Sequence, residues 1–509
     1  MKVLKLLYVL YKIRLLSPLG LYRLTAALFR NGTNLLMLLD FAERTYGEKV
    51  VLVDEKEKIS YKELLSQSEQ LSMALKKIHG LRPGQKVGFL CINHASLVKS
   101  IFAVARLGSD IYLLNTEMSK KQFNQLQDIH DFDLLIYDPE LNTLIEQSSY
   151  DKDKVFSYHE NLPAINNLLF TSEKLKLSRT SASKIVLLTG GTTGKSKEAV
   201  HQPSLFNYLN PSLALLSKLN LLKYKTAYIA TPIYHGYGIA VFVLCIALGK
   251  KVVINNDFKA EKACDLIRKH HVEVVTVVPL MIHKMLNTNT EDLRSLACIA
   301  SGGAELSPKL VNKVSRELGD VLYNLYGTSE AGLNVIATPD DLKYSPITIG
   351  KRISGGQLDV LDKNDNKLGI GMVGELCVKN SWSMRNSNWI RTGDLGYQDH
   401  QGYYFLCGRT DDLVVSAGEN VYPIELEQIL ITHPQIEDVA VIGINDEEFG
   451  QRLQVFVHTV EGPNLSKDEL FDWLRPRLAR FQMPKEIVFV NNMPYTHLGK
   501  RDKKRLSDL

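Results

Sequence analysis

Cysteine is scarce, and no two cysteines have the spacing of a metal or redox motif. The 509 residues include six cysteines, with no Cys-x-x-Cys pair and no histidine cluster beside any of them. Disulfide frameworks and zinc sites depend on such groupings, so both are excluded as organising features. We therefore predict reduced cysteines in a cytoplasmic protein. The six are Cys91, Cys245, Cys264, Cys298, Cys377 and Cys407.

Long apolar runs are also missing. A membrane-spanning helix needs about 18 or more consecutive apolar residues. The best candidate, residues 238–249, is shorter and fits a buried helix. A net charge of +5 over this length is too mild to indicate nucleic acid as a partner. The apolar content of 45% is that of a soluble globular protein, and the length predicts two or more domains.

Acidic residues are absent from the first 39 positions. Pro18 and Gly20 break this segment, which predicts two short helices rather than one. A basic amphipathic segment can lie on an anionic membrane surface, or it can be a helical arm packed on the protein body. Both interpretations stay open. The basic residues are Lys2, Lys5, Lys12, Arg14, Arg23 and Arg30.

From Asn34 onwards, strand-like and helix-like patterns alternate. Ser60 and Glu63 have the spacing of a capping box and predict a helix to about Lys77. Alternation of this kind predicts parallel sheets covered by helices. Apolar runs near residues 439–444, 453–460 and 487–490, with a helix over about 467–480, predict a smaller α+β domain at the C-terminus. The earlier strand-like runs are residues 50–53, 58–60, 86–91, 110–114 and 133–137.

One stretch has the composition of an anion-binding loop. Residues 184–200 read KIVLLTGGTTGKSKEAV, an apolar strand followed by Gly, Thr, Ser and Lys. Glycines allow close approach of backbone N–H groups, hydroxyls add donors and lysines add positive charge, which together fit a polyphosphate. The candidate contacts are Thr189, Gly190, Gly191, Thr192, Thr193, Gly194, Lys195 and Lys197.

Two other interpretations fit parts of this loop. A P-loop NTPase needs a glycine five positions before Gly194, where this chain has Thr189. The pattern therefore misses by one position. A glycine-rich turn between two strands is the remaining structural alternative.

Further polar residues follow predicted strands, where α/β sheets bind their ligands. Residues 321–332 read VLYNLYGTSEAG and bring Tyr326, Thr328 and Glu330 to a strand end. Glu330 could offer an oxygen ligand to Mg²⁺. His235 follows another strand, but a lone histidine of this kind is more often a packed residue than a catalyst.

Taken in order, five motifs resemble those of the adenylate-forming enzyme superfamily, the acyl-CoA synthetases and their relatives. The resemblance runs from about Asn34 to the C-terminus. Coincidence at five ordered positions is far less credible than at one. The family patterns TSGTTGxPKG, Y-G-x-T-E, T-G-D, G-R-x-D-D…G-E-N…P-x-E-x-E and P-x-T-x-x-G-K are similar to residues 189–198, 326–330, 392–394, 408–427 and 494–500.

The resemblance implies an α/β fold. It consists of a large N-terminal adenylation domain of parallel-rich sheets covered by helices, residues 34–409, and a small mobile α+β C-terminal domain, residues 410–509. The basic amphipathic segment, residues 1–33, precedes them.

The resemblance also implies roles for single residues. Lys500 would be the catalytic lysine of the first step, and Asp411 would be the hinge of the small domain. Glu330 would hold Mg²⁺, with Thr193 as a further candidate ligand. His235 would gate the acyl pocket, and Gly418 would lie in the segment presented to CoA. Besides the loop at residues 189–197, the ATP-binding residues would be Gly302, Gly303, Ala304, Glu305, Tyr326, Gly327, Thr328, Asp394 and Arg409. Of these, Gly302 to Glu305 and Tyr326 would frame the adenine, and Asp394 would bind the ribose hydroxyls with Arg409 nearby.

The implied activity is ATP-dependent ligation of a medium- or long-chain fatty acid to CoA through an acyl-AMP, with release of AMP and pyrophosphate. Such chemistry depends on positioning and charge neutralisation rather than on a protein nucleophile. ATP, Mg²⁺, CoA and a carboxylic acid would be the small-molecule partners. Three alternatives stay open: loading of a carrier protein, an aryl or short branched-chain acid as substrate, and a membrane-associated scaffold without activity. The location would be cytoplasmic, with a peripheral place at the inner face of the membrane left open.

Some positions depart from the family pattern. Gly190 stands where serine is usual, Ser196 where proline is usual and Glu198 where glycine is usual. The lost hydroxyl and the added negative charge predict weaker ATP binding. The segment before Trp389 is shortened relative to the family. No charged catalytic group is lost, so activity is expected.

Overall fold

The fold is described from a computed structural model. It covers residues 9–11, 15–168, 177–181, 183–189, 197–201, 209–382, 389–460, 465–496 and 499–508, with the backbone alone for 188, 189 and 197–201. Most of the predicted first helix, with Lys2, Lys5, Lys12 and Arg14, lies outside these residues. So do the loop residues 190–196.

The chain divides into two compact units. One contains Met1–Val277, Asn287–Ala300 and Ser381–Asn386; the other contains Val278–Leu286, Ser301–Asn380 and Ser387–Leu509. This division follows compactness and falls at other positions than the predicted domain limits 33/34 and 409/410. Those limits stay a prediction.

Two sheets form the first unit. In one the strand order is β6-β5-β3-β4-β7-β8, parallel except for the last pair; in the other it is β11-β9-β10-β1-β2, again with an antiparallel last pair. The predicted parallel-rich sheets are thus confirmed. The strands are β1 Val50–Val53, β2 Lys58–Ser60, β3 Lys86–Leu90, β4 Asp110–Leu113, β5 Leu134–Tyr137, β6 Asp153–Phe156, β7 Ile185–Thr189, β8 Lys197–His201, β9 Thr226–Ile229, β10 Lys251–Val253 and β11 Val274–Val277.

Helices alternate with these strands, and side-chain caps define several helix starts. Ser60 and Glu63 form the predicted capping box. No helix among the described residues is long and apolar enough to cross a membrane. The helices are α1 Pro18–Asn31, α2 Leu35–Tyr46, α3 Tyr61–His79, α4 Ala95–Leu107, α5 Lys120–His130, α6 Asn142–Glu146, α7 Leu209–Lys218, α8 Gly236–Ala247 and α9 Ala260–His270.

Helix α1 packs one face on the first unit and leaves the other exposed. Its Ala27 is fully buried against Met37 and Phe41 of α2. Asn31 at its end donates to the buried Asp40 at 2.6 Å. Gly20 is buried inside α1, so the prediction that Gly20 breaks the segment was wrong: the helix starts at Pro18, whose missing N–H is harmless in a first turn.

At the division between the units the chain forms helix α10, Pro279–Thr288, and strand β12, Cys298–Gly302. The second unit then has one sheet in the order β13-β14-β15-β19-β18-β17-β16 and another in the order β21-β20-β23-β22, with β24 paired to β23. The strands are β13 Leu322–Thr328, β14 Gly332–Ala337, β15 Thr348–Arg352, β16 Gln357–Leu361, β17 Gly374–Lys379, β18 Ile390–Gln398, β19 Tyr404–Arg409, β20 Val414–Ser416, β21 Glu419–Val421, β22 Ile436–Asp446, β23 Gly450–Thr459 and β24 Glu486–Phe489.

The C-terminal sheet of the second unit has its own apolar core, in which Val439, Val455 and Ile487 are fully buried. The helix predicted over 467–480 ends early, at Leu474, because Pro476 has no N–H to donate to the preceding turn. The helices of this unit are α11 Pro308–Leu318, α12 Pro339–Tyr344, α13 Pro423–Leu430, α14 Lys467–Leu474 and α15 Lys503–Ser507.

Candidate active site

The predicted phosphate loop connects two strands that pair in antiparallel register. Strand β7 ends at Thr189, β8 begins at Lys197, and these two residues are paired in antiparallel register. A P-loop is followed by a helix, so the returning strand argues against a P-loop NTPase. Gly190, Gly191, Thr192, Thr193, Gly194 and Lys195 lie outside the described residues, as do the side chains of Thr189 and Lys197.

In the second unit, Tyr326, Asp394 and Arg409 form a hydrogen-bonded set. Asp394 on β18 lies opposite Arg409 on the neighbouring strand β19. One carboxylate oxygen of Asp394 accepts from the Tyr326 hydroxyl at 2.7 Å, and the other accepts from Arg409 Nη1 at 3.0 Å. These three residues come from distant positions in the sequence, and the structure brings them together.

Arg409 is held from several sides. Its Nη1 also donates to the Thr392 carbonyl and its Nε donates to Asp411, each at 3.2 Å. Gly393 has φ +75°, which favours glycine, and a Cβ there would lie 2.9 Å from Arg409 Nη2, so a side chain at 393 would displace the guanidinium. Burial opposes the charge of Arg409, but Asp394 and Asp411 raise its pKa.

Tyr326 is kept as a neutral hydroxyl. Burial first, and then the neighbouring charge of Asp394, raise the pKa of Tyr326 well above its ordinary value. The hydroxyl therefore donates to Asp394 at any physiological pH. A donor fixed in this way orients the carboxylate.

Lys500 lies within electrostatic reach of the same set. Desolvation by the surrounding protein lowers the pKa of Lys500, Asp394 opposes this shift, and Arg409 adds to it. The side chain still has an exposed surface. The predicted catalytic lysine and the predicted ribose-binding carboxylate thus lie within electrostatic range of each other in one unit.

The turn between β13 and β14 carries Glu330. A Cβ on Gly327 would lie 2.3 Å from the Gly332 carbonyl oxygen, so the hairpin requires glycine at 327. Thr328 Oγ1 accepts from the Ala331 N–H at 3.1 Å. Glu330 is half-buried, and none of the residues that the structure describes pairs with its carboxylate.

Two buried asparagines support this turn, and sequence reasoning missed both. Asn334 donates to the Gly332 carbonyl at 2.6 Å, and Asn380 donates to the Ala331 carbonyl at 3.0 Å. Asn380 also donates to Asn334 at 2.9 Å. Asparagine is disfavoured inside strands, so Asn334 between the apolar residues of β14 was the available signal.

The segment after β12 carries the residues predicted to frame adenine. Gly302 ends the strand, and Gly303 has φ +82°. Ala304 is half-buried, and Glu305 accepts from Gln428 at 3.3 Å. Desolvation and the nearby charge of Glu427 raise the pKa of Glu305 to about 7.

A buried ion cluster next to Lys500 was also missed. Arg501 donates to Glu427 at 2.8 Å and to Asp438 at 2.9 Å. The Tyr495 hydroxyl donates to Asp438. The cluster fixes the backbone immediately after Lys500. The only sequence signal for this cluster is the arginine that follows Lys500 directly, Arg501.

His235 lies in the first unit, at the N-cap of α8. It is half-buried, and its ring centroid lies 4.5 Å from that of Tyr234. Asn93 fixes the preceding turn by accepting from the Ile233 N–H at 2.7 Å. The Tyr237 hydroxyl donates to the Ala300 carbonyl at 2.6 Å, which ties α8 to the strand that precedes the predicted adenine segment.

Gly418 lies in the tight turn between β20 and β21. It has φ +85° and the preceding Ala417 has φ +52°, the pairing found in two-residue hairpin turns. Gly418 is exposed, and nothing lies within 4 Å of a Cβ placed there. Asp411 is exposed beside Arg409. The roles predicted for both residues stay predictions.

Comparison with known proteins identifies the chain. The family model described as AMP-binding enzyme matches residues 39–386, and the model described as AMP-binding enzyme C-terminal domain matches residues 425–500. This chain belongs to the AMP-binding enzyme family. The resemblance read from the motifs is thereby confirmed, and the chain is an enzyme of the AMP-forming acid ligases.

Relatives of this AMP-binding enzyme differ in acid and in acceptor. The 2-succinylbenzoate–CoA ligase of Bacillus pumilus (strain SAFR-032) is 26% identical over 476 residues, covering 90% of this chain and 95% of the relative. The fatty acid–[acyl-carrier-protein] ligase ScoC of Streptomyces coeruleorubidus is 26% identical over 475 residues, covering 88% and 91%.

Solved structures confirm the fold. The amide bond synthetase McbA from Marinactinospora thermotolerans superposes with a TM-score of 0.82 at 22% identity, covering 93% of this chain and 99% of that one. The adenylate-forming enzyme fold, a large N-terminal α/β domain with a smaller C-terminal domain, is therefore the fold of this chain.

Proposed function

We propose that this AMP-binding enzyme is an ATP-dependent acid–CoA ligase that activates a medium- or long-chain fatty acid. A carboxylate oxygen of the acid attacks the α-phosphorus of ATP, and the bond to the leaving pyrophosphate breaks, which gives acyl-AMP. The sulfur of CoA then attacks the acyl carbon. The bond to AMP breaks, the thiol proton is lost to solvent, and the thioester and AMP are released.

The set formed by Tyr326, Asp394 and Arg409 carries this proposal, because it holds a carboxylate within electrostatic range of Lys500. Asp394 would accept the ribose hydroxyls, oriented by the two donors that hold its oxygens. Lys500 would neutralise negative charge as the acid and the α-phosphate approach each other. Donors and cations fixed beforehand in a partly desolvated site are the largest contribution to catalysis of this kind.

Mg²⁺ fits the residues at the turn between β13 and β14. Glu330 offers a half-buried carboxylate without a partner among the described residues, and oxygen is the ligand that Mg²⁺ prefers. Asn334 and Asn380 hold the backbone that presents it. Bound Mg²⁺ would neutralise phosphate charge. Thr193 stays a further candidate ligand in the undescribed loop.

A fatty acid is supported by the apolar helix that follows His235. Helix α8 reads GYGIAVFVLCIA and contains no charged side chain. The named activity of ScoC is in accord with a fatty acid, and it also keeps a carrier protein open as acceptor. The 2-succinylbenzoate–CoA ligases favour CoA as acceptor and keep an aryl acid open.

A pyrophosphate-release assay over a panel of acids tests the proposal. The panel contains octanoate, dodecanoate, hexadecanoate, 2-succinylbenzoate, benzoate and isobutyrate, each with CoA, with a phosphopantetheinylated carrier protein, or with neither. Release with dodecanoate or hexadecanoate, and thioester only with CoA, is the expected result. Release with an aryl acid alone would contradict the fatty acid, and no release with any acid would favour the inactive scaffold.

We also propose that the N-terminal segment contacts an anionic membrane surface, in a protein that is otherwise cytoplasmic. The exposed face of α1 carries Leu19, Tyr22 and Phe29, with 54%, 65% and 66% of their surfaces exposed. The surrounding segment has six basic residues and no acid before Asp40, although Arg30 is paired with Glu69 at 2.8 Å. Apolar side chains bordered by positive charge fit an anionic lipid headgroup layer.

Sedimentation with vesicles tests the membrane contact. Tyr22→Ser with Phe29→Ser should lower sedimentation with phosphatidylglycerol vesicles, and neither variant nor wild type should bind phosphatidylcholine. Ile129→Ser, which removes a similarly exposed residue from α5, is the control. Unchanged sedimentation would contradict the contact, and a change of oligomeric state instead would assign the face to a second copy of the chain.

A further inference from the structure

A glycine beside Lys500 approaches helix α10 more closely than any other residue type could. Gly499 has φ +70°, and a Cβ there would lie 2.7 Å from Val278 Cγ2 and 3.3 Å from Leu280 Cβ. A real Cβ does not tolerate the first distance, and a side chain disfavours this φ. The backbone at Gly499 therefore lies directly against the start of α10, and this contact sets the place of the next residue, Lys500.

Two polar contacts join the same part of the second unit to the start of β22. His283 on α10 approaches Glu437 at 3.4 Å, between Nε2 and a carboxylate oxygen. Lys309, in the first turn of α11, donates to the carbonyl of Ile436 at 2.9 Å. Both partners begin β22, whose apolar residues belong to the core of the C-terminal sheet.

The charges around His283 determine the strength of its contact with Glu437. Burial lowers the pKa of His283, the carboxylates of Glu437 and Asp438 raise it, and Lys313 lowers it. The nearby Glu437 is also 3.5 Å from His458. Because both side chains are about one third exposed, with 37% and 33% of their surfaces accessible, the contact is of moderate strength.

We propose that Val278, Leu280, His283 and Lys309 form a seat that positions Lys500 for acyl-AMP formation and takes no part in the transfer to CoA. These four residues are called the Lys500 seat. Their described contacts are with Gly499 and with the start of β22, so they act through the position of these two elements. This inference rests on the two half-reactions of the proposed function, because only the first of them is assigned to Lys500.

Half-reactions measured separately test the seat. Acyl-AMP formation is followed as ATP–pyrophosphate exchange with dodecanoate, and transfer is followed as CoA thioester formed from supplied dodecanoyl-AMP. Gly499→Ala should lower the exchange rate about tenfold or more, since the methyl group displaces the lysine loop. Lys309→Met and His283→Ala should each lower it by roughly fivefold or less, the value of one ordinary hydrogen bond. Transfer should be unchanged in all three.

Arg316→Met is the matched control for Lys309→Met, because Arg316 lies on the same helix with 75% of its side chain exposed and pairs only with the adjacent Glu317 among the described residues. It should leave both half-reactions unchanged. Normal exchange in Gly499→Ala would overturn the seat, and so would equal loss of both half-reactions in the variants. Wild-type protein without exchange on any acid of the panel would instead overturn the proposed function.

Discussion

Asp138 in the first unit and Asp394 in the second are both carboxylates with several hydrogen-bond donors, but their surroundings differ. Asp138 is 1% exposed and accepts from the Ile92 N–H at 2.8 Å and from His94 Nε2 at 2.9 Å. The Asp394 side chain is 16% exposed and is held by Tyr326 and by an arginine whose own side chain is 42% exposed.

The surroundings of Asp138 indicate a structural role. His94 Nδ1 accepts from the Leu97 N–H at 3.0 Å, so its Nε2 must carry the hydrogen that Asp138 receives, and the ring is neutral. The thiol of Cys91 is close to both, yet it points to the Ile136 carbonyl at 3.4 Å. Each group is already satisfied, and the network fixes the start of α4.

Asp394 has a different environment because its side chain keeps some exposure to solvent and Lys500 lies within electrostatic range. Its two donors fix the orientation of the carboxylate without enclosing it. The two carboxylates thus differ less in their number of donors than in their remaining exposure and in the charge of Lys500 near Asp394.

The largest difference between the two carboxylate sites is expected from Lys500→Ala. The cation beside Asp394 is lost, so acyl-AMP formation should fall by roughly 100-fold or more. Thioester formation from supplied acyl-AMP should survive. Pyrophosphate exchange and thioester formation, measured separately, check this. Equal loss of both steps would remove the assigned role.

Asp138→Asn should affect folding rather than kinetics. The substitution directs an amide N–H₂ at existing donors inside the first unit, so the free energy of unfolding should fall by about 2–4 kcal/mol. Denaturant unfolding measures it. The KM for ATP of the folded protein should stay at its wild-type value. A raised KM with normal stability would place Asp138 in a binding site.

Asp394→Asn should have the reverse effect. The negative charge proposed to accept the ribose hydroxyls is lost, so the KM for ATP should rise roughly tenfold, the value of a charge-assisted hydrogen bond. Because the site is partly exposed, the melting temperature should change little. Steady-state kinetics and thermal unfolding together check this. A large loss of stability with unchanged KM would put Asp394 in the same class as Asp138.

The smallest effect is expected from the pH dependence of Glu305. Its pKa is raised to about 7, whereas an unfolded glutamate titrates near about 4.3. The folded protein therefore holds a proton that the unfolded chain releases, and stability falls as pH rises from about 4.3 to 7.

Glu305→Gln removes this dependence of stability on pH, because glutamine stays neutral. The gain in melting temperature over wild type should be larger at pH 8 than at pH 5, and it should be modest because Glu305 is exposed. An equal difference at both pH values would contradict the raised pKa.

The first unit was largely predictable from local signals. The capping box at Ser60, the hairpin of β1 and β2 and the strands β3 to β5 follow from residue patterns a few positions long. In the second unit, the predicted end of α14 was wrong, because the apolar pattern continues past Pro476 although a proline cannot continue the helix. Segments without a strong pattern, such as the one containing β6, gave no prediction.

Much of the candidate site follows from the tertiary structure. Motif order identified Lys500, Asp394, Arg409 and Tyr326 singly, but motifs carry no distances. Tyr326 and Asp394 are 68 positions apart, and Arg501 and Glu427 are 74 positions apart. Asn334 and Asn380 belong to no motif, and their function in supporting the Glu330 turn depends on the packing around it.

The sequence by itself determined the family, the strand and helix periods and the identity of the charged groups, because these depend on residue type and short spacing. Only the tertiary structure decided which carboxylate lies buried and satisfied and which stays accessible within electrostatic range of Lys500. Strand register and the close approach of Gly499 to α10 set those distances, and both depend on residues far apart in the chain.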